Sequence, residues 1–137
     1  MKYAVTVKGY DSGLNELLNA QRQKYDPRLH KMRVFNPEKK KNDTLCSKAI
    51  RCCAELKGVT INQPIWVHYH FYCKDKKHDK TNIAYAFCKS FLDSLQVCKV
   101  IPNDGWSNIE NVDFTFEIDK QNPRVVAEIE VLNEKKR

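Results

Sequence analysis

Residues 64–98, PIWVHYHFYCKDKKHDKTNIAYAFCKSFLDSLQVC, decide the fold. Pro64 admits a strand, and Ile65 to Cys73 reads as that strand, rich in β-branched and aromatic residues. Trp66, His68, His70 and Tyr72 then share one of its faces. After the charged loop Lys74-Asp75-Lys76-Lys77-His78 the period changes. From about Lys80 to Val97, Ala84, Phe87, Cys88, Phe91 and Leu95 recur at helical spacing, with Cys98 just beyond. That is an apolar stripe on a helix, and it can cover one face of a sheet.

Working outward, residues 2–8 (KYAVTVK) alternate and read as a strand. Asp11-Ser12-Gly13 is a turn, and Leu14 to about Gln23 reads as a helix. Tyr25 to Lys41 is polar and basic, contains Pro27 and Pro37, and reads as irregular or only partly helical. Asp43 or Thr44 can cap a helix running to Lys57, with Gly58 as its stop. Val100-Ile101 reads as a short extended piece, turned by Pro102-Asn103-Asp104-Gly105. Val112 to Ile118 alternates strictly, and Arg124 to Leu132 is a further strand, the two resembling a hairpin. The expected class is α+β, a small mixed sheet packed with helices in one domain over 1–137.

The composition bounds function. Of 137 residues, 42% are hydrophobic, enough for a core. No apolar run approaches the ~18–20 residues of a membrane span. The first residues lack the layout of a signal peptide, so a cytoplasmic protein with no membrane partner is expected. Twenty-four basic and 17 acidic residues give +7, and the excess is uneven. Residues 1–58 hold 13 bases and 6 acids, while 59–137 hold 11 of each. A cationic half favours a polyanionic partner through counterion release, though solubility alone would also explain it. Six cysteines and no secretory signal argue for thiols over a disulfide framework. No C-x-x-C is present, and His68-x-His70 with Trp66 and Tyr72 reads as packed or surface histidines before a zinc site.

On the helix, Asn82, Ala86, Lys89 and Asp93 are expected on the face opposite the stripe. Asp79 stands at the N-terminal end of that row, and Asp104 lies past the C-terminal end in a turn able to fold back. Two converging carboxylates make a hard-oxygen site of the kind Mg²⁺ takes, with waters and phosphate oxygens completing it. Such an ion activates water in phosphodiester hydrolysis, and a lysine beside it stabilises charge on phosphorus. Each residue also has a plainer reading. Asp79 is a plausible N-cap, Asn103-Asp104-Gly105 is ordinary turn chemistry, and Lys89 with Asp93 is an i, i+4 pair.

Taken in order, Pro64–Phe71, His78-Asp79-Lys80-Thr81-Asn82-Ile83, Lys89-Ser90-Phe91-Leu92-Asp93-Ser94-Leu95 and Val100–Trp106 resemble the RusA-type Holliday-junction endonucleases of phages and prophages. Leu14-Asn15-Glu16 is similar to that family's L-N-E after its first strand. The resemblance implies an α+β subunit, a two-fold homodimer, and Mg²⁺-dependent cleavage of four-way DNA junctions in recombination and repair, without an organic cofactor. It implies that Asp79 and Asp104 are metal ligands and Lys89 the catalytic lysine, the three forming the catalytic set. Lys74, Lys76 and Lys77 are candidate phosphate contacts, as are Lys39, Lys40 and Lys41, for which a solvated charge run is the equal alternative.

One residue departs from the family's D-x-D-N: the second aspartate is Thr81 here. A hydroxyl brings no charge, so Asp75, His78 or Asp93 would have to compensate. The alternative is a weakened or inactive protein that binds branched DNA on the same fold. A small basic binding module with a chance motif is the third reading.

Overall fold

In the computed structural model, residues 1–8, 25–26, 31–32, 37–76 and 79–133 are described, the side chains from residue 42 onward and in 1–8 among them. In chain order the elements are β1 (Lys2–Lys8), β2 (Tyr25–Asp26), β3 (Lys31–Met32), α1 (Pro37–Cys52), a 3₁₀ turn (Ala54–Leu56), β4 (Ile65–Cys73), α2 (Lys80–Val97), β5 (Ile109–Ile118) and β6 (Arg124–Val131). The expected helix over 14–23 lies outside the described residues.

The main sheet has four strands in the order β1-β6-β4-β5, and β2 pairs with β3 in a separate ladder. β4 and β5 are parallel, with α2 as the crossover between them, while β6 runs antiparallel to both β4 and β1. The expected mixed α+β architecture is therefore present. The expected pairing at the end is not: β5 and β6 never touch as a hairpin, because β4 lies between them. Alternation predicts a strand but not its neighbour. A short link suffices to step over one strand, since two strand spacings are only about 10 Å. Asp119 holds that link, with its amide donating to the Cys73 carbonyl at 2.8 Å and its carboxylate accepting from Arg124 at 2.9 Å.

β4 is buried on alternate residues. Ile65, Val67, Tyr69 and Phe71 are at most 1% exposed. They face Phe87, Phe91 and Leu95 of α2, and the rings interlock. Tyr69 meets Phe87 and Phe91 edge-on at 5.9 and 5.7 Å, and Phe71 stacks on Phe116 at 5.1 Å. Val5 and Val7 of β1, Val125, Ala127 and Ile129 of β6, and Cys46 and Ile50 of α1 complete one continuous core. α1 lies on α2, with the Ser94 hydroxyl donating to the Asp43 carbonyl at 3.2 Å and the Cys98 thiol approaching the Ser47 carbonyl at 3.8 Å. All six cysteines are thiols.

α1 starts at Pro37, about two turns before the expected cap at Asp43 or Thr44. Proline is well placed in a first helical turn, where its missing N–H has no partner to lose. The run Lys39-Lys40-Lys41 is thus helical. The far end differs too: α1 stops at Cys52, five residues before the expected Lys57, because Cys53 is extended and a separate 3₁₀ turn follows, and Gly58 at φ +73° comes after that turn and does not end the helix. No described helix is long and apolar enough to cross a membrane.

Candidate functional site

α2 carries the site. Its inward stripe is as expected, but its outer face is not. Ala86, expected outside, is 2% exposed, and Tyr85 takes the outward place at 67%. Ile83, Ser90 and Ser94 are buried as well, so the covered arc is wider than the expected stripe, with α1 lying on it and Ala86 at its edge. Lys89 does face outward. Its ammonium lies 3.2 Å from Asp93 Oδ1 and 3.7 Å from Asp104 Oδ2.

The turn after α2 makes that second contact. Lys99 takes a positive φ of 61°, and its amide and that of Cys98 close on the Gln96 and Ser94 carbonyls. Val100 and Ile101 are buried and not paired as a strand, although the Ile61 amide donates to the Val100 carbonyl at 2.7 Å. The chain then folds back, and Asp104 returns to the helix. Two residues fifteen apart in sequence are therefore neighbours in space.

The charge state of Lys89 follows. The hydrogen bond to Asp93 and that carboxylate's charge raise its pKa, burial opposes them more weakly, and Asp104 adds a lesser upward effect. It is a fixed cation and not a base. Cys88, next to it in sequence, points inward to Tyr69. Burial holds its thiol protonated, so it is no nucleophile.

Asp79 is elsewhere. It occupies the N-cap position of α2, and its carboxylate makes no capping bond. The Asn82 amide donates to it at 3.5 Å. Asp79 and Lys89 are ten residues apart, about 15 Å along the axis. The Lys89 ammonium also leans toward Asp93, away from Asp79. The two aspartates expected to share a metal are thus not brought together within the described chain. Among the described residues, no group of three or more His, Cys, Asp or Glu is arranged to hold an ion. Thr81 is exposed beside Asp79. Of the residues able to replace the missing carboxylate, Asp93 joins Lys89 and Asp104, while His78 lies outside the described residues.

Lys74 and Lys76 are exposed after β4, and Lys77 lies outside the described residues. Lys76 and Lys80 stand over a cleft of about 370 Å³, floored by Cys73, Ile83, Phe116 and Ile118, with Asp75 and Glu117 also lining it. The cleft opens at the carboxyl ends of the parallel strands, where α/β units usually bind ligands.

Sequence reasoning missed a second cluster, on the face of the sheet away from α2. His68 Nδ1 is 2.8 Å from Asp113 Oδ2, and Nε2 is 3.0 Å from Glu130 Oε1. The Trp66 indole donates to the same Asp113 oxygen at 2.8 Å and stacks on the imidazole. Burial lowers the His68 pKa, but hydrogen bonds to Glu130 and Asp113 and their charges outweigh it, and the net shift is upward. With both ring nitrogens engaged by carboxylates, this histidine is a clamp across three strands and not a proton shuttle. His70 is held too, with Nδ1 at 2.7 Å from Thr115 Oγ1. The signal was available only through pairing: registers Trp66–Glu130 and His68–Asp113 bring the acids alongside. No protein-family model matches the chain, and no curated protein matches it.

Proposed function

We propose that the protein is a structure-selective DNA endonuclease of the RusA type, acting on four-way junctions as a two-fold pair. The observation that carries this is the meeting of Lys89 and Asp104, the catalytic lysine and later aspartate that the resemblance picks out, at 3.7 Å. Asp93 is the third member of that cluster. Asp93 and Asp104 offer oxygen donors only and are each 30% exposed at the side chain, leaving room for waters and phosphate oxygens. Such a donor set suits Mg²⁺, which one or two carboxylates commonly hold. When bound, the ion would supply an activated water and a stabilised leaving oxygen. Lys89 binds a non-bridging phosphate oxygen and stabilises its developing charge. The lysines at 74, 76 and 80 receive a neighbouring strand by its phosphates.

The test is a labelled four-way junction against a matched linear duplex, with Mg²⁺ and with EDTA. Symmetric metal-dependent nicks on the junction alone are expected. Lys89→Ala and Asp104→Asn should each reduce cleavage about a hundredfold or more, and Asp104→Asn should leave junction binding intact. Undiminished cleavage in either overturns the reading. Asp79→Asn separates two arrangements. Lost cleavage makes Asp79 part of a site that one chain as described does not form; retained cleavage leaves Asp93 and Asp104 as its acids.

A second reading is a branched-DNA-binding protein that does not cut. The threonine at 81 and the distance from Asp79 to Asp104 favour it. Tight junction binding without nicks in Mg²⁺ or Mn²⁺ would establish it.

A further inference from the structure

Two aromatic side chains stand in water, each close in the chain to one member of the Lys89–Asp104 pair. Trp106 follows Asp104 by two residues and has 91% of its surface exposed. Tyr85, one helical turn before Lys89, is 67% exposed, with Phe114 packed edge-on at 6.3 Å. Indole is the largest side chain the code offers, and leaving it in solvent forgoes a large burial term. The support beneath it is firm. The Gly105 amide donates to Asn103 Oδ1 at 2.8 Å, and the Gly105 carbonyl accepts from Asn108 and Ile109 at 3.0 and 3.1 Å. A Cβ on residue 105 would sit 2.8 Å from Asn103 Oδ1, so a larger residue there would have to displace the side chain that accepts from the 105 amide. The indole is therefore presented outward by a tight turn at the head of β5.

We propose that Trp106, aided by Tyr85, is a stacking platform for an unpaired base of branched DNA, setting the adjoining phosphate at Lys89. The proposal rests on the nucleic-acid reading above and adds what the site selects. Every base has a π face, so an exposed indole binds any base that is unstacked. A base inside a continuous duplex offers no free face, whereas one at a strand crossover can. Lys89, held as a cation, stands where the backbone beside that base would run. A protein partner fits less well. Each ring is close in the chain to a charged residue, Tyr85 to Lys89 and Trp106 to Asp104, whereas the centre of a protein interface is a continuous patch depleted of charge.

The experiment follows tryptophan emission and gel mobility together, in EDTA so that nothing is cut. Wild type, Trp106→Ala and Trp106→Phe are titrated with a four-way junction and with a matched linear duplex. The only other tryptophan, Trp66, is held against Asp113 and reports separately. Junction should quench wild-type emission, and the quench should vanish in Trp106→Ala. Junction affinity in that variant should fall about tenfold or more, duplex affinity should hardly change, and Trp106→Phe should recover most of the loss. Because the indole is exposed, the alanine variant should fold as wild type does, and its circular dichroism checks this. Equal junction affinity with the quench retained overturns the platform alone. Failure of every variant to bind any DNA overturns the nucleic-acid reading and the platform with it. A blue shift with protein concentration in the absence of DNA, lost in Trp106→Ala, assigns the indole to a contact between copies instead.

Discussion

At the scale of single residues, His68 shows how a sheet surface can be made pH-sensitive. Its folded pKa is raised above the unfolded value of 6.5, and that of Glu130 is depressed from 4.5, first by the hydrogen bond from His68. The histidine's contribution is therefore complete below its unfolded pKa and disappears as pH rises through the higher folded one. That of Glu130 is present above its unfolded pKa and is lost as pH falls through the lower folded one. The clamp is strongest in mild acid, between these limits. Urea midpoints taken from pH 5.5 to 8.5 should fall in the wild type relative to His68→Gln, which has no such titration. Parallel curves would mean that the three-strand clamp does not form. The carboxylates that make it, Asp113 and Glu130, lie 45 and 62 residues away in sequence, and only strand register reveals them.

Among the elements, β1, β4 and α2 were legible to their end residues because each has one clean period and a marked boundary. The end of α1 was misplaced, since the helix stops at Cys52 and Gly58, its expected stop, lies beyond a 3₁₀ turn. The φ of Gly58 is +73° and nothing lies within 4 Å of a built Cβ, so the position demands glycine through the backbone alone. Gly58→Ala should cost about 1–2 kcal/mol in urea unfolding, with Gly58→Asn milder. A neutral alanine would mean the turn relaxes to negative φ. α1 was harder to read, since Pro37 breaks a helix from within yet starts one well, and local sequence does not say which applies. β5 begins at Ile109, three residues before its strict alternation, because Ile109 already pairs with Ile65 of β4, across an irregular register that sequence alternation does not show. For the site, spacing along α2 was enough to put Lys89 and Asp93 together. The return of Asp104 was legible as a turn able to fold back. The remoteness of Asp79 follows from helical rise, which the face-by-face reading left out.

For the whole molecule, the charge is divided between surfaces as well as between halves. Lys74, Lys76 and Lys80 gather where β4 and β5 end, while Asp113, Glu128 and Glu130 occupy the outer sheet face. Nucleic acid should approach the lysine end. Lys74→Ala with Lys76→Ala should weaken junction and duplex alike and reduce the slope of log affinity against log salt by about 2. An unchanged slope would place the phosphates elsewhere. The same plan of strands governs how the molecule is made. β6 lies between β1 and β4, yet it follows both of them in the chain. While a ribosome is still translating residues before Arg124, β1 has no partner among the strands of the main sheet, and β4 shows one bare edge. Bare edges of this kind are what nascent chains use to pair with one another. Ribosome-bound chains stopped at residue 123 should therefore be open to proteases and retained by chaperones, and those carried past β6 and clear of the exit tunnel should become resistant in a single step.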